Sequence, residues 1–159
     1  MKTAVVTISD KGAAGEREDA SGPAIKNLIV EQGGEIVGYK IIPDDFEQIK
    51  DTLYELCDQE KVDLVLTSGG TGFAERDITP EVTQDVIDRE VPGLPEKMRS
   101  DTSQYTELSY LSRARAGIRS KTLIVNLPGS PRAVKQCLES IIDILPHGIE
   151  ILQGEITEH

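Results

Sequence analysis

The segment VDLVLTSGGTGFAERDITPEVTQDVIDRE, residues 62–90, decides how the chain is read. Its opening VDLVLT is the short apolar run of a buried strand, and TPEVTQDVIDRE at its end has helical character. Thr79 stands where a helix cap belongs, and Pro80 suits a first helical position. Between the two elements lie Ser68, Gly69, Gly70, Thr71 and Gly72, then Arg76 and Asp77. A turn of this kind offers backbone N–H groups beside the positive end of a helix, a combination that holds anions. The same composition also serves as a plain strand-to-helix turn, because glycine reports only permissive backbone. The neighbouring turns separate the two readings.

Outward from this segment, strands and helices alternate. KTAVVTIS (residues 2–9) reads as a strand and is followed by the polar loop DKGAAGEREDASG (residues 10–22). GPAIKNLIVEQGG (residues 22–34) reads as a helix capped by Ser21 and stopped by Gly33. EIVGYKII (residues 35–42) returns as a strand. FEQIKDTLYELCDQE (residues 46–60) then sets Phe46, Ile49, Leu53 and Leu56 on one helical face. Residues 91–120 hold two prolines and read as a less regular, helical region. KTLIVNL (residues 121–127) is a fourth strand, and residues 128–145 form a helix capped by Ser130 with Pro131 in its first turn. HGIEILQGE (residues 147–155) extends or follows that helix. The alternation predicts one three-layer α/β/α domain over residues 1–159, with a mostly parallel sheet covered on both faces.

Composition narrows the function. The 159 residues carry a net charge of −11 and are only 4% aromatic, which disfavours a nucleic-acid partner and base-stacking platforms. No apolar run approaches the roughly 20 residues of a membrane helix, and MKTAVVTISD lacks the apolar stretch of a secretory signal. The expectation is a cytoplasmic protein with no membrane association. Cys57 and Cys137 have no CxxC spacing and fall in helical segments, so neither a disulfide framework nor a zinc site is expected.

Parallel strands bring their C-terminal turns to one edge, where ligands of open α/β sheets bind. Four turns meet there: SDKG from Ser9 and Asp10, PDD from Pro43 and Asp44, TSGGTG from Thr67, and NLPGSP from Asn126 through Pro128, Gly129 and Ser130. Together they assemble the carboxylates of Asp10, Asp44 and Asp77 with glycine amides and hydroxyls. The Walker pattern is absent, and Glu75 occupies the last glycine position of GxGxxG. Neither His147 nor His159 sits in these turns, which disfavours a Ser-His-Asp triad. What remains is phosphate chemistry assisted by a divalent cation.

At these residues the chain resembles a known family. LTSGGTGFAERDITPE together with NLPGSPRAV resembles the MogA/MoaB family of molybdenum-cofactor biosynthesis, with further similarity in TISDKG, ASGPAI, IIPDD, VPGLPEKMR and LSRARAGIR. The intact RDITPE favours the molybdopterin adenylyltransferases within it. The resemblance implies a MogA-like molybdopterin-binding fold and a homotrimer. It also implies a reaction in which the molybdopterin phosphate attacks the α-phosphate of Mg-ATP, releasing pyrophosphate. Asp44 and Asp77 then become the catalytic carboxylates and the Mg²⁺ ligands. Ser9, Asp10, Pro43, Ser68, Gly69, Gly70, Thr71, Gly72, Arg76, Thr79, Ser112, Asn126, Pro128, Gly129 and Ser130 become binding residues, with Arg113 and Arg115 as further positive charge for the molybdopterin phosphate. The molybdate-inserting enzyme of the pathway is an implied partner. A MoaB-like carrier that holds molybdopterin without turnover is the alternative, and another nucleotide-dependent transferase on the same fold is a third. Asp44 would otherwise be a helix cap, a role open equally to Asp45, and Asp77 a loop residue paired with Arg76 or capping a turn.

Overall fold

The computed structural model describes residues 1–157; His159 lies outside them. Its elements in order are β1 (Lys2–Ile8), α1 (Asp10–Ala13), α2 (Ser21–Glu31), β2 (Glu35–Ile42), α3 (Phe46–Tyr54), β3 (Leu64–Ser68), α4 (Thr79–Val86), β4 (Arg89–Glu90), α5 (Gly93–Thr102), β5 (Ala116–Arg119), β6 (Thr122–Leu127), α6 (Pro131–Ile141) and α7 (Leu145–Leu152). A π-helical turn, Glu55–Gln59, extends α3, and a 3₁₀ turn, Glu107–Leu111, lies between α5 and β5. No helix among these residues is long and apolar enough to cross a membrane.

The sheet runs β2-β1-β3-β6-β5-β4. The first four strands in that order are parallel, and β5 and β4 add an antiparallel edge. Strands β1, β3 and β6 are buried on both faces, which is why they read as nearly unbroken apolar runs. Alternate residues feed two cores. Val5, Leu64, Leu66, Leu123 and Val125 pack with Ile25 and Ile29 of α2, Met98 of α5, and Val134 and Leu138 of α6. Ala4, Val6, Val65 and Ile124 point the other way, against Ile49 and Leu53 of α3 and Val82 and Val86 of α4. The three-layer reading holds. The sheet order reverses between β1 and β3, so a crevice forms beyond their carboxyl ends.

The four strands expected from the sequence are all present, whereas β4 and β5 fall in stretches read as helical. Residues 116–119 are only four long, and the two-residue connection Ser120-Lys121 contains no glycine to announce a hairpin. Ser120 takes the left-handed turn itself, at φ +52°, with its amide donating to Asp88 Oδ2 at 2.8 Å. Helix α4 correspondingly stops at Val86, and Arg89–Glu90 pairs with β5. Phe46 is half-exposed instead of sharing the buried face of Ile49, Leu53 and Leu56.

Two helix caps also differ. Ser21 is already inside α2, and Asp19 caps that helix by accepting from the Ser21 and Gly22 amides at 3.1 and 3.2 Å. Thr79 is likewise inside α4 and makes no capping bond. Gly33 (φ +87°) closes α2, and Ser130 caps α6 through the Ala133 amide at 3.2 Å.

Candidate active site

The turns after β1, β2, β3 and β6 surround a cleft of about 480 Å³ at the carboxyl edge of the sheet. Ser9, Asp44, Ser68, Gly69, Gly70, Asp77, Gly129 and Ser130 line it, as the sequence reading anticipates. Convergence follows from parallel register: Ile8 pairs with Ile42, Thr7 with Ser68, and Ser68 with Leu127, so all four turns start at one level.

Three of the turns are laced together by one set of charges. Arg76 grips Asp10 through Nε and, at 2.9 Å, through Nη2, which also reaches the Asp44 carbonyl at 2.9 Å. Asp10 and Asp44 exchange bonds, the Asp10 amide donating to Asp44 Oδ2 at 3.1 Å and the Asp44 amide to Asp10 Oδ1 at 3.0 Å. The Arg76 hydrogen bond holds the Asp10 carboxyl below its ordinary range. Asp44 shifts the other way: burial raises its pKa, and the negative charges of Asp10 and Asp77 add to that despite the Asp10 amide. Asp45, not Asp44, caps α3, accepting from the Gln48 amide at 3.0 Å. Asp44 therefore has no capping duty, and Arg76 is the partner of Asp10 instead of Asp77. Asp77 does close a local turn, its Oδ2 accepting from the Ala74 amide at 3.0 Å.

Both carboxylates overhang the glycine turn. A Cβ at Gly70 would come within 3.2 Å of Asp44 Oδ1, and one at Gly72 within 2.8 Å of Asp77 Oδ2. Among the described residues, the amides of Gly70, Thr71 and Gly72 donate to no protein acceptor. The base of the turn is tied inward. The Gly69 amide donates to Leu127 O at 3.0 Å, Ser68 Oγ to Pro128 O at 2.9 Å and Thr79 Oγ1 to Gly69 O at 2.9 Å.

A second, mostly apolar pocket of about 270 Å³ continues along the loop, lined by Thr71, Gly72, Ser112 and Pro128 together with Met98, Leu108, Leu111 and Arg99. Ser112 also borders a recess of about 400 Å³ that holds Glu81, Glu90, Arg113 and Arg115.

Several residues expected at the ligand lie behind it. Asn126 is fully buried, with its amide donating to Thr67 Oγ1 and Thr83 Oγ1 at 3.0 and 2.9 Å and its oxygen accepting from the Arg115 amide at 3.0 Å. Its side chain is spent joining β3, β6 and α4. Thr79 is buried under the glycine turn, and Pro43 shapes the bend that presents Asp44 by accepting from the Asp45 amide at 2.8 Å. Arg115 pairs with Glu90 at 2.8 Å, and Arg113 is committed to the loop itself.

The wall opposite the glycines is absent from the sequence reading. Thr7, Arg17, Glu18, Asp19 and Ser21 line the same cleft, drawn from the end of β1, the loop read only as polar and the start of α2. Asp19 also accepts from Thr7 Oγ1 at 2.8 Å and from the Tyr39 hydroxyl. Burial alone would raise its pKa, but those bonds and the two helix amides outweigh it and hold Asp19 low. Burial, then the Asp19 bond, pushes Tyr39 up to about 12. The available signal is Asp-Ala-Ser: an aspartate two residues before the serine is an equally good cap.

Residues 4–147 match the family described as probable molybdopterin binding domain. The molybdopterin adenylyltransferase of Helicobacter pylori strain J99 is 40% identical over 156 residues, covering 97% of this chain and 89% of that protein. The enzyme of the same name from Escherichia coli K12 is 36% identical, covering 99% of this chain and 88% of that protein. The crystal structure of the molybdopterin biosynthesis enzyme MoaB from Thermus thermophilus superposes with a TM-score of 0.92 at 44% identity, covering 96% of each chain. The four-turn cleft, its overhanging carboxylates and these likenesses belong together: the chain is a member of the molybdopterin-binding-domain family of molybdenum-cofactor biosynthesis.

Proposed function

We infer that the chain is a molybdopterin adenylyltransferase, moving AMP from Mg-ATP to the terminal phosphate of molybdopterin. The observation that carries this is the placement of Asp44 and Asp77 over a glycine turn with unspent amides, at a cleft within the roughly 300–1,000 Å³ of small-molecule sites. Nucleotidyl transfer asks a protein mainly for alignment and charge neutralisation. The amides of residues 70–72 offer donors to phosphate oxygens where the cleft, lined by Gly70, meets the adjoining pocket, lined by Thr71 and Gly72. The adjoining apolar pocket suits the flat pterin, with its phosphate directed back toward the shared loop. Arg76 offsets Asp10, so the negative charge that remains beside the turn is that of Asp44 and Asp77.

That pair fits a magnesium ion. Among the described residues no group of three or more His, Cys, Asp or Glu forms a closed metal cage. Mg²⁺ is commonly held by one or two carboxylates, with nucleotide phosphates and water completing its shell. Asp44 and Asp77 each engage Oδ2 with a backbone amide and have Oδ1 left to offer. A bound ion would supply charge neutralisation at the α-phosphate. ATP binding should accordingly depend on the cation: calorimetry should find affinity falling at least about tenfold in chelator. Equal affinity with and without Mg²⁺ would rule out a bridging ion.

Incubation with Mg-ATP and molybdopterin, followed by chromatography for adenylyl-molybdopterin and pyrophosphate, tests the reaction. A carrier would bind molybdopterin and release neither product. We place the work in the cytoplasm, where ATP is supplied, and take the molybdate-inserting enzyme as the recipient of the product. We further propose a homotrimer. Tyr105, Leu108, Tyr110 and Leu111 leave large apolar surface exposed in the irregular segment, and Phe73 is 72% exposed on the glycine loop. Light scattering at micromolar concentration should return three times the chain mass; a stable monomer would contradict the assembly.

A further inference from the structure

The loop between β3 and α4 carries Asp77 on a long, partly exposed excursion, and one side chain from a distant segment spans it. Arg113 Nε donates to Gly72 O at 2.8 Å, Nη2 to Asp77 O at 2.6 Å and Nη1 to Glu81 Oε2 at 2.6 Å. Its own amide donates to Thr71 O at 2.9 Å. A single residue thus grips the start of the loop, its end and the first turn of α4. We propose that Arg113 is a positioning residue for transfer, holding Asp77 at the glycine turn, and is not a contact to substrate phosphate. The proposal rests on the adenylyltransferase reading of the site.

The guanidinium is suited to this work. Its nitrogens diverge in one plane and meet three acceptors at once, whereas a lysine ammonium is a point charge on a flexible stem. All three nitrogens of the side chain are engaged within the protein, which leaves it poorly placed to bind an incoming anion without releasing the loop. Pinning the Asp77 carbonyl fixes the backbone from which the carboxylate projects. Misplacement of a reacting group by about 1 Å can cost on the order of 10²-fold in rate.

Arg113→Lys keeps the positive charge and removes the three-way grip. The variant should bind molybdopterin within about threefold of the parent while kcat falls on the order of 10–100-fold. Hydrogen exchange at the Ala74 and Asp77 amides, which are bonded within the loop, should accelerate at least about tenfold as the loop loosens. Glu81→Gln, which removes only the ionic anchor, should move both readouts in the same direction by less, and it serves if the lysine variant does not fold. A large loss of molybdopterin affinity with unchanged exchange would make Arg113 a phosphate contact and overturn the proposal. Faster exchange with parental kcat would overturn it too. If the parent protein makes no adenylyl-molybdopterin, the functional reading fails, while the exchange measurement still decides whether Arg113 holds the loop.

Discussion

Asp77→Asn should fold, melt close to the parent and lose turnover by a factor on the order of 10² or more. The surroundings of Asp77 make this a clean test. Among the described residues its only side-chain bond is accepted by Oδ2 from the Ala74 amide, and an asparagine oxygen can accept the same bond. Arg76 is held by Asp10 and the Asp44 carbonyl, so removing the charge at 77 strands no cation. The stability change should stay within about 1 kcal/mol, the size of a lost or altered turn cap. What changes is the charge beside the glycine turn. A second readout follows from Asp44, whose pKa is raised by burial first and by Asp10 and Asp77 in addition. Without the Asp77 charge, NMR titration of the Asp44 carboxyl should show its midpoint move down toward the ordinary carboxylate range, though not fully, because burial persists. Parental turnover in Asp77→Asn would remove Asp77 from catalysis.

Much of this arrangement is legible from residue order because the physics behind it is local. VDLVLT, KTAVVTIS and KTLIVNL are central strands buried on both faces, and such strands announce themselves as apolar runs. Parallel alternation then dictates that their turns share an edge, and the cleft walls at Ser9, Asp44, Gly70 and Gly129 follow. What stays hidden depends on distant partners. Residues 116–119 pair with the adjacent β6, but the glycine at 117 answers to a distant neighbour, because a Cβ there would meet Ile87 at 2.5 Å. Asn126 reads as a ligand contact for its place in NLPGSP, yet Thr67 and Thr83, 59 and 43 residues away, claim its amide. Arg113 reads as a spare cation for the same reason. Polar type and position suggest a site, but whether a side chain faces ligand or holds the frame depends on acceptors far along the chain. Asp19 illustrates the converse, a cleft residue concealed by its role as a helix cap.

Gly69→Ala should be the most damaging single-methyl change in the cleft. Gly69 sits at φ +105°, a region that costs an L-residue about 1–2 kcal/mol or more. The added Cβ would also lie 2.3 Å from the Ile8 carbonyl oxygen, which is backbone at the end of a central strand and cannot rotate aside. The residue is fixed from two further directions, its amide on Leu127 O and its carbonyl on Thr79 Oγ1. Relief therefore requires parting β1 from β3 or breaking the tie to α4. Strain and clash together should cost on the order of 3–5 kcal/mol, lowering Tm by roughly 10 °C or more in a domain of this size. Either route of relief also moves Gly70 and the amides beyond it, so turnover should fall even where the variant remains folded. Gly129→Ala supplies the contrast on the facing turn. A Cβ there meets only the Gly69 Cα, at 3.5 Å, an ordinary van der Waals contact. That variant should melt within about 2 °C of the parent and raise the KM for nucleotide a few-fold by narrowing the cleft. Thermal melts of the two proteins side by side decide the matter. A Gly69→Ala variant as stable as Gly129→Ala would mean that the glycine turn yields easily, and a turn that yields easily cannot be the rigid cradle this chemistry needs.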